Sequence, residues 1–178
     1  MSQHMTPEFA AAYRDLMLYG FRNEAATTRK VIAAIPEAQS DYKPDPHAYS
    51  AKDLAWHIAA SELMFLESIL NLKFDMGGAQ PEKPETVAAI LAWRDSNLEP
   101  ALDRLAAMPA DQLLTPIDFA GVFNLPAFMY LNFLNSHSVH HRGALATYLR
   151  PMGTKVPSIY GGSYDEPFKM PERAEAVA

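Results

Sequence analysis

Four stretches of the chain repeat apolar residues at helical spacing, and segments rich in proline or glycine separate them. Thr6 and Ser50 stand where N-caps are expected, and Pro7 suits a first helical turn. Four amphipathic helices joined by loops long enough to cross the molecule favour an all-α fold, namely a four-helix bundle with long connecting loops. The helices are predicted at about residues 7–35, 50–72, 86–108 and 126–150.

The apolar stripes of these helices predict which residues face the core, and prolines and turn residues predict where a helix is interrupted. Pro100 lies inside the third stripe and is expected to kink or split that helix. The segment LLTPIDFAGVFNLP, residues 113–126, predicts either a short hairpin before the fourth helix or an irregular loop. The inner face is predicted for the first helix at Phe9, Tyr13, Leu16, Met17, Gly20 and Phe21, and for the second at Leu54, Ile58, Ser61, Phe65 and Leu72.

The 178 residues, 49% of them hydrophobic, suit one domain, which we place at residues 6–166. Residues 1–5 are interpreted as a leader or cloning remnant, and residues 167–178 as a loose C-terminal tail. The uncharged stretch 119–141 is rejected as a membrane span, because Pro126 interrupts it and its asparagines and serines would be costly in hydrocarbon.

Charge and cysteine content narrow the function classes. A net charge of −6 with a pI near 5.5 argues against a nucleic-acid surface. The chain contains no cysteine, so disulfides, a thiol nucleophile and thiolate metal ligands are excluded. Together with the lack of a recognisable secretory signal, this fits a cytoplasmic protein.

Histidines are the chemistry-bearing residues that stand out. His137 and His141 are four residues apart on the fourth predicted helix, so both rings share its apolar face. His57 lies close to the inner face of the second helix, and His140 is expected at the edge. Three neutral imidazoles from two facing helices predict a divalent-ion site with an open position. Spacing alone is also compatible with hydrogen-bonded core histidines, and neither HExxH nor Glu-x-x-His is present.

Three segments carry a family resemblance: YSAKDLAWHIAASE, HSVHHRGALATYLRPMG and VPSIYGGSYDE. They resemble the DinB/YfiT-like family of metal-dependent four-helix-bundle proteins, which is distinct from the DNA polymerase of similar name. The resemblance covers about residues 6–166 and implies His57, His137 and His141 as metal ligands and a homodimer as the assembly. Ala144 departs from the pattern, since glutamine is expected there.

The resemblance implies a metal-dependent transferase that activates a low-molecular-weight thiol for attack on an electrophile, with zinc, nickel or iron as the ion. His140 or Tyr160 would move protons. Arg142 is a candidate cofactor-binding residue, with a structural ion pair as the main alternative. Metal-assisted hydrolysis is a variant, in which Glu62 or Glu24 would serve as base if it points inward. The non-enzymatic alternative is a metal-stabilised binding or stress-response module.

Neighbouring residues are expected to have structural roles. Asp53 and Glu62 are predicted at the exposed surface, with orientation of a ligand as their alternative role. Gly143 is predicted to permit close helix packing, and Trp56 and Trp93 to pack against other side chains. The loop carrying Tyr160 is expected either to fold over the site or to form a subunit contact.

Overall fold

A computed structural model describes residues 5–75, 77–78 and 81–168. The predicted leader, apart from Met5, and the predicted tail, apart from residues 167–168, lie outside the described residues. The described chain is mainly helical, which confirms the predicted fold class. The four long helices are α1 (Pro7–Ala33), α2 (Ala51–Leu70), α3 (Val87–Ala106) and α4 (Tyr130–Leu149).

Side-chain caps explain where the first three helices begin. The Thr6 hydroxyl accepts a hydrogen bond from the Phe9 amide at 3.2 Å. Ser50 Oγ accepts one from the Asp53 amide at 3.1 Å and donates to the Asp53 carboxylate at 2.7 Å. Thr86 accepts from the α3 backbone at 3.1 Å. Each cap satisfies an amide that the first helical turn leaves without a partner.

The bundle places α2 between α3 and α4, while α1 also packs against α3 and α4. Two apolar clusters of buried side chains fill opposite ends of this arrangement. One joins the first half of α1 to the second halves of α2 and α3 and the start of α4. The other joins the end of α1 to the start of α2 and the end of α4. Buried polar residues lie between them, at Thr28, Ser61, Glu62, Arg94, Ser138 and Arg142.

The inner face of α1 differs from the predicted stripe. Phe21 is buried as predicted, but Leu16 is 69% exposed, Phe9 is 48% exposed and Gly20 is also exposed, whereas Leu18, outside the predicted stripe, is buried. Positions 16 and 18 point about 200° apart on a helix, so only one of two such leucines can face the core. Arg14 also belongs to the buried face, because its guanidinium donates to the Met108 carbonyl at 2.7 Å, and a stripe defined by apolar residues alone does not include it.

Of the two structures predicted for residues 113–126, a short hairpin or an irregular loop, the hairpin is present, as strands β1 (Pro116–Phe119) and β2 (Phe123–Pro126) paired antiparallel. Gly121 adopts a φ of 71° in its turn, a conformation that glycine takes without strain. Because Pro126 belongs to β2 and Ala127–Met129 form a 3₁₀ turn, α4 begins at Tyr130, four residues later than predicted.

Two other boundary expectations are settled by the backbone. α3 is continuous through Pro100, which is exposed, so the expected split of this helix does not occur. Leu72 lies beyond the end of α2, with a φ of 54°, and so does not extend its inner face. Across the described residues, every helix is too short or too polar to cross a membrane.

Candidate metal centre

Three histidine side chains meet between α2 and α4. The Nε2 atom of His57 lies 3.2 Å from Nε2 of His137 and 3.2 Å from Nε2 of His141. One nitrogen from each ring lies within 4.8 Å of the other two. The i, i+4 spacing on α4 brings His137 and His141 together, and the packing of α2 against α4 adds His57.

The donor set fits a divalent transition ion. Tetrahedral zinc with Zn–N bonds of about 2.0–2.1 Å separates its ligand atoms by about 3.3 Å, close to the spacing between these histidines. A neutral imidazole has one N–H donor and one lone pair, so three Nε2 atoms facing one another cannot all be satisfied by mutual hydrogen bonds. A shared cation accepts all three lone pairs, so the three-histidine group is able to hold a metal.

Burial keeps these histidines neutral. Desolvation, followed by the charges of His57 and His140, lowers the pKa of His137 from its ordinary 6.5 to about 4. Desolvation and the neighbouring imidazoles likewise lower the pKa of His141 to about 4. Burial also lowers the pKa of His57. At neutral pH the three rings therefore present unprotonated nitrogens, the form that binds metals.

A cavity of about 390 Å³ opens on the α2 side of the histidines. The ring of Tyr49 stacks on His57, with centroids 5.5 Å apart and planes 14° apart. Asp53 also lines this cavity, half-buried rather than exposed as predicted, and its carboxylate binds Lys83 at 2.5 Å. The hydrogen bonds from Lys83 and then Ser50 lower the pKa of Asp53. Asp53 thus shapes this cavity while its charge is already paired.

A second cavity, of about 480 Å³, lies on the other side of the histidines. His137 and His140 both line it. His140 is exposed and packs edge-on against His141, with ring centroids 4.9 Å apart. The structure therefore places His140 at the edge of the histidine group, where its proposed role in proton transfer stays a prediction.

Arg142 follows His141 in sequence but points towards α1, whereas His141 points towards α2. Its guanidinium is 1% exposed and pairs with the Glu24 carboxylate at 2.6 Å. The Tyr160 hydroxyl accepts from Arg142 at 2.5 Å and donates to Glu24 at 2.8 Å. Burial and the hydrogen bond to Glu24 raise the pKa of Tyr160. Tyr160 thus binds this ion pair rather than a histidine; the catalytic role of Tyr160 and the cofactor-binding role of Arg142 stay predictions.

Glu62 is fully buried, which corrects the expectation that it lies at the surface. Its carboxylate accepts from Arg94 Nε at 2.7 Å and from Ser138 Oγ at 2.5 Å. Arg94 also donates to the Ala25 carbonyl at 3.2 Å. This cluster of Glu62, Arg94 and Ser138 joins all four helices, because Ala25 belongs to α1.

Two features of the sequence indicate residues that the helical stripes missed. Arg94 is seven residues after Val87 and four before Leu98, so it falls on the apolar face of α3, where a charge requires a partner. Glu62 follows Ile58 by four residues on the buried face of α2. Phe65, whose ring lies near that of His137, belongs to the predicted inner face of α2, whereas Tyr49, which stacks on His57, carries no comparable signal in the sequence.

Of the remaining structural expectations, the one for Trp56 and Trp93 is met and the one for Gly143 is not. Trp56 and Trp93 pack against each other, with ring centroids 4.7 Å apart, as the packing role predicts. Gly143 is exposed, and a Cβ added there would meet no atom within 4 Å, so close helix packing does not explain this glycine.

Comparison with known proteins identifies relatives along most of the chain. The sequence model of the DinB family matches residues 1–173. The Bacillus subtilis protein YrdA is 25% identical over 153 residues, covering 85% of this chain and 90% of YrdA. A second Bacillus subtilis protein, YjoA, is 28% identical over 145 residues, covering 77% of this chain and 90% of YjoA. Both are described as uncharacterized proteins.

Solved structures share the fold. The crystal structure of the DinB-like protein YjoA of Bacillus subtilis aligns with a TM-score of 0.67 at 23% identity, covering 81% of this chain and 96% of YjoA. The structure of a DinB-like protein from Bacillus cereus aligns with a TM-score of 0.69 at 23% identity, covering 81% of this chain and 95% of the Bacillus cereus chain.

Proposed function

Since the chain belongs to the DinB family, we propose that it is a divalent-metal-dependent transferase that activates a low-molecular-weight thiol at the three-histidine centre. The observation that carries this proposal is the convergence of the Nε2 atoms of three neutral imidazoles, 3.2 Å apart in two pairs, with cavities on both sides. Three protein ligands with room for another group are typical of catalytic rather than structural metal sites.

His57, His137 and His141 would hold the ion, and their imidazole nitrogens suit zinc, nickel or iron. When bound, such an ion supplies a positive charge that lowers the pKa of a coordinated thiol, so that the sulfur is nucleophilic at neutral pH. The protein supplies no cysteine of its own, so the thiol has to come from a small molecule.

The transfer step is a substitution. The thiol sulfur forms a bond to the electrophilic carbon, and the leaving group departs with its bonding electron pair. His140 is the candidate for taking the thiol proton, because its ring is exposed beside His141 and lines a cavity with His137. Asp53 and Tyr49 would border the incoming thiol from the other side.

The carboxylates make transfer the better proposal than hydrolysis. A hydrolase needs a base for its water, and the two glutamates suggested by the sequence are both engaged. Glu62 is bonded to Arg94 and Ser138, and Glu24 to Arg142 and Tyr160. Neither carboxylate faces the histidines through a hydrogen bond.

Cobalt substitution tests the proposal directly. Cobalt(II)-loaded protein is titrated with 2-mercaptoethanol and followed by absorption spectroscopy, and then assayed for thiol transfer to 1-chloro-2,4-dinitrobenzene. We expect a thiol-to-cobalt charge-transfer band in the parent and in His47→Ala, and none in His57→Ala. A cobalt spectrum that thiols leave unchanged would contradict the proposal and favour a non-catalytic, metal-stabilised binding or stress-response module.

We also propose a cytoplasmic homodimer that does not bind nucleic acid. The absence of cysteine and the net charge of −6 support the location and the lack of a nucleic-acid partner. Exposed apolar side chains on α1, Leu16 at 69% and Tyr19 at 72%, support self-association. Light scattering of the parent and of Leu16→Glu tests the dimer, which the charged substitution should weaken.

A further inference from the structure

We infer that the electrophile carries a neutral, planar apolar group, and that Phe65, Phe119 and Phe133 bind this group beside His137. The inference rests on the proposed function, which requires a second substrate next to the three histidines. It adds the chemical class of that substrate and assigns the hairpin a role in selecting it.

The aromatic pocket is the cavity of about 480 Å³ between α2, the hairpin and α4, lined by Phe65, Phe119, Asn132, Phe133, Ser136, His137 and His140. Phe65 comes from α2, Phe119 from β1 and Phe133 from α4. The rings of Phe65 and Phe119 lie parallel within 8°, with centroids 6.4 Å apart, and the Phe65 ring is 5.8 Å from that of His137. Flat aromatic surfaces at such separations are suited to contact another ring.

The hairpin is necessary for this wall. Phe119 packs edge-on against Phe74, at 4.8 Å, and Tyr130 donates from its hydroxyl to the Ile117 carbonyl at 2.7 Å. These contacts hold β1 against the start of α4. A plain loop between α3 and α4 would lack the fixed position that sets Phe119 opposite Phe65.

The rim of the pocket is polar but carries no fixed charge. Asn132, Ser136 and His140 are spaced by four residues along α4 and are all exposed, so they form one stripe beside Phe133 and His137. Lysine, arginine, aspartate and glutamate are absent from the lining formed by the described residues. A neutral ligand with one hydrogen-bonding group matches this lining better than an ionic ligand.

Size supports a ring of this kind. Small-molecule sites generally measure about 300–1,000 Å³, and a cavity of about 150 Å³ already accepts benzene. The aromatic pocket, at about 480 Å³, has room for one or two fused rings. The cavity on the other side of the histidines contains the paired carboxylate of Asp53 and is left for the thiol.

Equilibrium binding of 2-naphthol, measured by dialysis on the metal-free full chain and repeated with zinc, tests the inference without using turnover. A blocking variant, Ser136→Trp, fills the exposed rim without touching the core. Ser96→Trp places the same side chain on an exposed position of α3 and is its matched control. Phe119→Leu removes one aromatic wall while keeping an apolar side chain.

We expect saturable binding with a Kd of about 0.1–1 mM, ordinary for a ligand of this size. Ser136→Trp should weaken it by about tenfold or more and Ser96→Trp should leave it unchanged. The ring-proton NMR signals of His137 and His140 should shift on binding, and 2-naphthalenesulfonate should bind more weakly.

Absence of saturable binding, or binding that Ser136→Trp does not weaken, would overturn the inference whatever the cobalt experiment shows. Binding that depends on Ser136 and Phe119 would support the aromatic pocket even if thiols fail to reach the metal. The two proposals can therefore fail separately.

Discussion

Two polar clusters lie side by side between α2 and α4, and they are built on opposite principles. In the first, Glu62 is surrounded by complementary partners: a guanidinium from Arg94 and a hydroxyl from Ser138. In the second, three chemically identical imidazoles face one another, and Nε2 of His57 lies 3.2 Å from Nε2 of His137 and of His141. Ser138 immediately follows His137 in sequence, so the contrast arises within one turn of α4.

The difference separates a cluster that is complete within the protein from one that is able to take a further ligand. A buried carboxylate whose oxygens both accept strong hydrogen bonds needs no ligand. Three imidazoles with lowered pKa values and converging Nε2 atoms remain incompletely satisfied by the protein, and Nδ1 of His137 also has no hydrogen-bond partner among the described residues. Such incomplete pairing is compatible with metal binding by the three histidines.

The largest expected effect on stability comes from removing the Glu62 carboxylate from its cluster with Arg94 and Ser138. Glu62→Ala leaves Arg94 buried without its carboxylate, and we expect a loss of about 3–5 kcal/mol in the free energy of unfolding, measured with urea. Glu67 is the matched control, because it is also a glutamate of α2 bonded to an α3 arginine, Arg104, but at the surface. Glu67→Ala should cost at most about 1 kcal/mol. Equal losses in the two variants would contradict the structural role of Glu62.

The histidines should respond to metal instead. Zinc at a free concentration of about 100 times its Kd should stabilise the parent by about 2.7 kcal/mol, because only the folded chain assembles the site. His57→Ala should show no such gain in thermal unfolding, whereas His140→Ala, at the edge of the group, should keep it. A gain that persists in His57→Ala would place the bound zinc elsewhere.

Acid should affect the metal-free histidines in a defined pH window. His137 and His141 have pKa values of about 4 in the folded chain and ordinary values of 6.5 when unfolded. Between these values the unfolded chain binds more protons, so stability is fully present above pH 6.5 and declines as the pH falls towards 4. Urea unfolding of the parent and of His137→Gln at several pH values measures this. The variant should show a shallower decline; an unchanged slope would contradict the assignment.

The smallest effect is expected where α4 faces α1, at the Glu24–Arg142 ion pair. Tyr160→Phe removes the hydroxyl that bridges Glu24 and Arg142, and it should cost about 1 kcal/mol or less because the ring is largely exposed. Metal content should not change. Tyr164→Phe, at a tyrosine that is 91% exposed, is the control and should be neutral. Loss of metal in Tyr160→Phe would show that this loop supports the histidines.

Local signals in the sequence predict much of this structure. The caps at Thr6 and Ser50, the four helices and the hairpin follow from side chains that act within a few residues of themselves. The meeting of His57 with His137 and His141 follows from helical spacing together with the family resemblance. Their roles as ligands stay predictions, as do the roles of His140, Tyr160 and Arg142.

Long-range contacts explain what could not be predicted. Whether Leu16 or Leu18 faces the core depends on which helices pack against α1, and periodicity alone does not contain this information. Glu62 was placed at the surface because a lone carboxylate is costly to bury, and its partners Arg94 and Ser138 come from other helices. The aromatic pocket likewise depends on a hairpin whose tertiary position is not encoded in its own short strands.

Elemental analysis of the purified parent beside His57→Ala and His141→Ala tests the central claim most directly. We expect about one equivalent of a divalent transition metal in the parent after zinc or nickel is supplied, and almost none in either variant, since each removes a ligand. Both variants should remain folded, because the Glu62 cluster and the two apolar clusters are untouched. A parent that takes up no metal, or variants that keep it, would contradict the assignment of these histidines as a metal centre.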